Sequence, residues 1–315
     1  MHSKKPISKK TNNMIEIIST NLPLLAGLVF ILGLLTGSFL NVVIHRLPLI
    51  LGREWRATAT EILTEANCSV SCPKDELPAK YNLMTPASAC PKCHHKITAL
   101  ENIPVFSWLF LGGKCSNCKA KISGRYPFVE LLTAVTFMAC AITFGWSWYL
   151  AFALILSCFL IAGSFIDYDH KILPDQLTLP LVWIGLVAAL WLAPAHVLPG
   201  FAKDLPSSVI GALAGYLSLW SIYWLFKLLT GKEGMGHGDF KLLAAIGAFL
   251  GWQMLPLVIL LSTVTGAVLG IATMVISKKG RDYKIPFGPF LAIAGWIALI
   301  WGETITNSYI QMLQP

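Results

Sequence analysis

Charged side chains are scarce in this 315-residue chain, at 13% of residues against 55% hydrophobic ones, and the mean hydropathy is +0.65. A soluble domain of this size would carry about 25% charged residues, so the composition excludes an ordinary water-soluble protein. The chain is expected to be a polytopic membrane protein in contact with the lipid bilayer. The cytoplasmic Lys/Arg excess of membrane proteins explains the net charge of +8, and no nucleic-acid partner is expected.

Other familiar signals are missing too. The sequence shows no long internal repeat and no low-complexity tract. The first apolar run is longer than the core of a signal peptide and lacks a small-residue cleavage site, so no cleavable signal peptide is expected. No G-x-G-x-x-G fingerprint is present, so a nucleotide-type cofactor site cannot be located by that motif.

Apolar segments of about 20 residues, the length that crosses a bilayer, recur along the chain. The candidate spans are 22–45, 127–145, 148–166, 177–194, 207–229, 239–252, 254–277 and 288–308. Because the sixth is short, the expected number of spans is seven or eight. Three segments are predicted: residues 1–45 as a tail and first span, polar residues 46–126 as a small separate domain, and residues 127–315 as the main membrane domain.

The distribution of basic residues predicts the orientation. With eight spans and an external N-terminus, the cytoplasmic segments hold all but five of the 24 Lys and Arg residues, as the positive-inside rule requires. The five on the outside are Lys4, Lys5, Lys9, Lys10 and Lys203. The N-terminal lysines argue against this orientation, whereas the later short loops favour it consistently.

Four cysteines in the polar segment form the pattern C-x2-C…C-x2-C, with Cys90, Cys93, Cys115 and Cys118 as its members. Two such pairs supply a tetrahedral set of thiolates, which is typical of structural zinc. Reduced cytoplasmic thiols favour zinc over disulfides here. The predicted fold class is therefore an all-α polytopic membrane protein with a small cytoplasmic zinc-binding domain inserted after the first helix. Cys68 and Cys72 could form a second half-site, a redox pair or two unpaired thiols.

Two aspartate motifs stand where apolar segments end. Residues 167–175 read DYDHKILPD, and residues 234–241 read GMGHGDFK. An acid at a bilayer edge is costly and is a functional candidate by default. A pair of such acids is what an aspartyl protease needs, one to activate water and one to polarise the scissile carbonyl. Asp167 and Asp169 are both candidates in the first motif, and Asp167 is favoured because it lies closer to the apolar segment. Asp239 is the expected partner, and Asp175 is expected to cap a helix.

Further motifs support a resemblance to a known family. They are GSFLNVVIHRLP at 37–48, CPKC at 90–93, ENIP at 101–104, GGKC at 112–115, RYP at 125–127 with Glu130, ID at 166–167 with LPD at 173–175, TGKEGMGHGDFKLL at 230–243 and IPFGP at 285–289. Together they cover nearly the whole chain. The chain resembles the type IV prepilin peptidases, bifunctional leader peptidase/N-methyltransferases that are membrane aspartyl proteases of the G-x-G-D type.

The resemblance implies a function in detail. Asp167 and Asp239 match the family's catalytic aspartates, and the four cysteines of the C-x2-C pairs match its cytoplasmic metal-binding module. The family cleaves prepilins of type IV pili and pseudopilins of type II secretion after a glycine, at the cytoplasmic face of the bacterial inner membrane. It then methylates the new N-terminus with S-adenosylmethionine, for which no binding residue is predicted here.

Two rival functions belong to other classes. A proton-coupled transporter would use the same aspartates to relay protons. It would not need the G-x-G-D motif or the cysteine pairs. A non-enzymatic assembly factor would use the cysteine domain for docking, and its function would tolerate loss of both aspartates.

Overall fold

The computed structural model describes residues 16–66, 77–192, 200–277 and 286–313. Cys68 and Cys72 lie outside these ranges. Within them the fold is helical, and the only extended contacts are two isolated antiparallel bridges, Ala89–Lys96 and Lys114–Lys121.

The helices have the following bounds. They are α1 (Leu22–Glu65), α2 (Phe106–Phe110), α3 (Arg125–Phe144), α4 (Trp148–His170), α5 (Asp175–Leu192), α6 (Leu205–Thr230), α7 (His237–Leu250), α8 (Leu255–Ser277) and α9 (Gly288–Leu313), with a 3₁₀ turn at Trp252–Met254.

Seven stretches of the described chain are long and apolar enough to cross a membrane. They are Leu22–Glu65, Arg125–Phe144, Trp148–His170, Asp175–Leu192, Leu205–Thr230, Trp252–Ala272 and Gly288–Met312. The predicted all-α polytopic fold is confirmed. The first helix continues to Glu65, well beyond the predicted end of the first span at 45, with Pro48 inside it.

Helix α7, the short sixth span of the sequence prediction, differs from the others. It has 14 residues, of which 11 are buried, and its length is about 21 Å. Its neighbours include α5, α6 and α9. A helix that is apolar on all sides belongs in the core of a bundle rather than against lipid, so α7 is an interior helix.

Small residues let α7 approach its neighbours closely. Gly211 of α6 lies against Gly247, and a Cβ at Gly215 would lie only 2.6 Å from the carbonyl oxygen of Leu243. On the α5 side, a Cβ at Gly185 would lie 2.8 Å from the Cβ of Ala248. Close backbone contact through glycine is a common way for membrane helices to associate. It positions α7, and with it the second aspartate motif.

Residue contacts divide the chain into two units, one of them Gly33–Ala134 and the other the rest of the chain. In the Gly33–Ala134 unit, α1 and α3 pack through glycine, since a Cβ at Gly37 would lie 2.6 Å from the Cα of Glu130. The Asn41 amide donates to the carbonyl of Tyr126 at 3.0 Å. The segment boundaries at 45/46 and 126/127 stay predictions.

Candidate active site and metal centre

Asp167 lies in the last turn of α4 rather than after the helix. The helix ends at His170, and the next residue, Lys171, adopts a left-handed conformation. The N–H of Lys171 donates to the carbonyl of Asp167. The Asp167 side chain faces inward, and only 6% of the residue is exposed. A carboxylate buried at this depth needs a hydrogen-bond donor.

Gly288 supplies that donor. Its backbone N–H donates to Oδ2 of Asp167 at 3.0 Å. Gly288 is the first residue of α9, so this N–H has no partner within its own helix. The N-terminal end of a helix also favours a negative charge. A Cβ at residue 288 would lie 2.8 Å from the same carboxylate oxygen, so glycine is needed for this approach.

Asp239 occupies a comparable place at the start of α7. It lies in the first turn of the helix, and its N–H donates to the carbonyl of Gly236 at 3.2 Å. Only 7% of the residue is exposed. A carboxylate in the first turn is stabilised by the helix dipole. Asp167 and Asp239 therefore both meet the N-terminal end of a helix, α9 and α7 respectively.

Leu173 connects the two aspartate motifs. A Cβ at Gly238 would lie 2.6 Å from the Cβ of Leu173, and a Cβ at Gly288 would lie 3.1 Å from its Cδ1. The negative charge of Asp167 also acts electrostatically on Asp239. The structure thus brings together the two acids that are 72 positions apart in the printed sequence. Neighbouring carboxylates of this kind favour sharing one proton.

The other polar residues of the two motifs have different surroundings. Asp169 is exposed on α4. Asp175 is the first residue of α5, and its Oδ1 pairs with Nζ of Lys241 at 2.6 Å. Helix capping was expected for Asp175, which begins α5 and forms this ion pair between α5 and α7. The ring of His237 packs against Tyr223, with 5.1 Å between ring centroids.

The four cysteines converge in the Gly33–Ala134 unit. All four Sγ atoms lie within 4.8 Å of one another, with Cys90 and Cys118 at 3.7 Å and Cys93 and Cys115 at 3.9 Å. A tetrahedral zinc site with bonds of about 2.3 Å separates its sulfur atoms by about 3.8 Å. The arrangement fits a tetrahedral metal ion.

The two cysteine pairs have the same local fold. In the first, Cys90 N–H donates to the carbonyl of His95 and His94 N–H to that of Cys90. In the second pair, the N–H of Cys115 donates to the carbonyl of Ala120, and the N–H of Lys119 donates to the carbonyl of Cys115. The residue after each second cysteine, His94 and Lys119, has a positive φ near 55–59°. Each pair is therefore a tight turn that points two thiols in one direction.

Backbone donors prepare these thiols for a cation. The N–H groups of Cys93 and then of Lys92 lower the pKa of Cys90 to about 6. Those of Cys118 and then of Asn117 lower the pKa of Cys115. Cys118 differs, because although the N–H of Ala120 lowers its pKa, its neighbouring thiols raise that pKa to about 11. The turns therefore favour the thiolate, the form that binds metal, at the first cysteine of each pair.

Three glutamates have partners within the described structure. A hydroxyl donated by Ser116, followed by the N–H of Thr98, lowers the pKa of Glu101 to about 2. Glu130 accepts the N–H of Val105 at 2.7 Å. Glu233 pairs with Lys227 at 2.9 Å.

Comparison with known proteins gives a consistent family assignment. Residues 31–144 match the Bacterial Peptidase A24 N-terminal domain, and residues 154–271 match the Type IV leader peptidase family. Three prepilin leader peptidase/N-methyltransferases illustrate the similarity. The protein of Aeromonas hydrophila is 56% identical, and the match covers 90% of this chain and 93% of the relative. The protein of Aeromonas salmonicida is 54% identical, and the match covers 91% of this chain and 94% of the relative. The protein of Pseudomonas aeruginosa is 53% identical, and the match covers 89% of this chain and 92% of the relative. No solved structure matches the chain.

Proposed function

The chain belongs to the type IV leader peptidase family, and we propose that it cleaves the leaders of type IV prepilins and of type II secretion pseudopilins. It then methylates the amine that cleavage exposes. The observation that carries the peptidase proposal is the pair of buried acids, Asp167 and Asp239, joined through Leu173 and Gly288. Curated relatives at 46–56% identity are named for both activities.

The proposed peptidase step uses the two carboxyl groups in different protonation states. The N–H of Gly288 and the start of α9 favour the charged form of Asp167, which acts as the base that takes a proton from water. Asp239 in its protonated form polarises the scissile carbonyl. The water oxygen bonds to the carbonyl carbon, the C–N bond breaks, and the leaving amine receives a proton from the pair.

The site's surroundings suit a substrate with an apolar helix and a basic leader. The acids stand at ends of membrane helices, so an apolar segment can lie among the spans while the leader stays in water. We place this end of the bundle on the cytoplasmic side of the bacterial inner membrane, because the distribution of Lys and Arg favours it. On this reading the membrane domain of residues 127–315 holds the peptidase.

The second activity needs a methyl donor, which we take to be S-adenosylmethionine. That donor would supply the methyl group, and the amine exposed by cleavage would accept it with loss of a proton. No residue of the chain is assigned to the donor site.

We assign zinc to the four cysteines. Bound there, the ion would cross-link two turns in a segment that has little apolar core, a structural role in which all four ligands come from the protein. Two isolated bridges are the only extended pairing among the described residues of this segment.

The test of both activities is mass spectrometry of a cognate prepilin incubated with membranes that contain the protein, with and without S-adenosylmethionine. Loss of the leader in both samples, with an added methyl mass only when the donor is present, is the expected result. Leader loss without methylation would remove the transferase. No leader loss would bring back the transporter and assembly-factor hypotheses.

Gly288→Ala is expected to lower the rate of leader cleavage by about a hundredfold, the cost of displacing a catalytic group by about 1 Å. The added methyl would meet Asp167 Oδ2 at 2.8 Å and Leu173 Cδ1 at 3.1 Å, so the carboxylate must move. The measurement is the cleavage rate in membranes at matched protein levels. Gly27→Ala is the matched control, because a Cβ there meets no heavy atom within 4 Å. Equal rates for both variants would contradict the role of Gly288.

A further inference from the structure

Helix α2 presents its apolar face outward in the polar segment 46–126, which was predicted to be a small cytoplasmic domain. Phe106, Leu109 and Phe110 lie on one side of the helix, and they are 53%, 60% and 88% exposed. Trp108 lies on the other side, where its ring packs against Gly113 and its Nε1–H donates to the carbonyl of Ile122 at 3.2 Å. A soluble helix has the opposite arrangement, with its apolar face inward.

The position of α2 relative to α3 explains this exposure. The N–H of Val105, which directly precedes α2, donates to Oε2 of Glu130 at 2.7 Å. Glu130 is five residues into the candidate span α3, about 7.5 Å along that helix. A Cβ at Gly124, just before α3, would lie 3.9 Å from the ring of Trp108. Helix α2 is therefore held beside the first turns of α3, which is a candidate membrane span.

The backbone before α2 is fixed in an unusual conformation. Val105 has a φ of 62°, which is rare for a β-branched residue and costs free energy. The hydrogen bond to the buried Glu130 holds it there. The orientation of the exposed face is thus set by a tertiary contact with a membrane helix.

The charge of the surrounding segment completes the argument. Residues 77–129 contain seven Lys or Arg residues and a single acid, Glu101, and Glu101 accepts internal hydrogen bonds. The basic residues from the end of α2 to the first residue of α3 are Lys114, Lys119, Lys121 and Arg125. Aromatic and aliphatic side chains next to basic ones, at the depth of a membrane surface, match an interface of anionic headgroups over acyl chains.

We propose that α2 is an interfacial membrane anchor whose Phe106, Leu109 and Phe110 side chains insert among the lipids of the leaflet that α3 enters. The partner is a phospholipid surface. This surface fastens the cysteine domain beside the bilayer. The proposal does not depend on the peptidase activity, since it concerns only the Gly33–Ala134 unit.

The test is photo-crosslinking from a benzoylphenylalanine side chain in the full chain, reconstituted in vesicles of phosphatidylethanolamine and phosphatidylglycerol. The side chain replaces Phe110 or Leu109, and Ile62 serves as the matched control. Ile62 is similarly exposed, at 59%. It lies about 24 Å along α1 beyond Arg46, the first residue after the predicted first span. We expect lipid adducts from positions 109 and 110 and no lipid adduct from position 62. Addition of a prepilin should leave these adducts unchanged.

A second variant separates lipid insertion from simple proximity. Phe106→Asp places a charge on the inserted face, and the lipid adduct from position 109 should then be lost while the protein stays in the membrane fraction. Adducts that persist in this background would overturn the proposal. It would also be overturned by no adduct at 109 and 110, by equal adducts at 62, or by adducts to the prepilin in place of lipid.

Discussion

Asp239→Asn or Asp167→Asn is expected to lower leader cleavage by about 10²- to 10⁴-fold, the usual contribution of a catalytic acid or base. Asparagine keeps the shape of the side chain, and its oxygen can still accept the N–H of Gly288 at position 167. It cannot ionise or give up a proton. The measurement is the rate of leader removal from a prepilin by membranes with equal amounts of each variant.

The matched control is Asp169→Asn, two positions from Asp167 on the exposed side of α4. Its cleavage rate should stay close to that of the unchanged chain. The double variant should be no slower than either single one, because groups that act as a unit are not additive. Normal cleavage by either single variant would rule out the proposed pair.

Methylation gives an independent readout of the same variants. The carboxylate pair acts on the peptide bond, so an already processed pilin should still be methylated by the Asp239→Asn protein. Loss of methylation with a processed pilin would mean that the substitution damaged the fold rather than the chemistry.

Cys93→Ser or Cys118→Ser is expected to abolish stoichiometric zinc binding. Loss of a group that only hydrogen-bonds to a metal ligand costs about ten- to a hundredfold in metal affinity, and loss of a direct thiolate ligand should cost more than about a hundredfold. The four Sγ atoms lie within 4.8 Å, so each contributes to one site. The measurement is metal content per chain by elemental mass spectrometry after purification and dialysis.

Loss of the metal should also loosen the polypeptide around it. Limited proteolysis of the purified protein should cut between residues 77 and 124 in these variants, and in the unchanged chain after treatment with a chelator. Cys158→Ser is the control, since Cys158 lies within α4, outside this segment, and it should keep its metal and its resistance. A full metal content in Cys93→Ser would disprove the four-thiolate site.

Several features of the site follow from local sequence alone. The C-x2-C pairs specify their own turns, because backbone N–H groups within each turn point at the first thiol. The G-x-G-D motif likewise specifies a helix start with an acid in its first turn. Patterns of this kind depend on neighbours a few residues apart, so they can be recognised without the fold.

The contacts of Gly288 and Leu173 could not be obtained in that way. Both residues lie in motifs visible in the sequence, yet nothing local indicates that the N–H of Gly288 meets Asp167, which is 121 positions away. The same holds for Asp175, which begins α5 as the local pattern indicates but pairs with Lys241 on another helix. These contacts exist because α7, inserted among α5, α6 and α9, brings distant helix ends to one place.

The sequence by itself determined that the protein is a helical membrane protein, that four cysteines form one metal-binding set and that two aspartates are its candidate catalytic pair. Composition, hydrophobic length and ligand spacing are sufficient for these conclusions, because each reflects local chemistry or transfer from water to lipid. Tertiary structure alone decided that α7 is an interior helix, that Gly288 binds Asp167 and that α2 exposes its apolar face beside α3. Those outcomes depend on the approach of segments far apart in the chain, which local patterns do not encode.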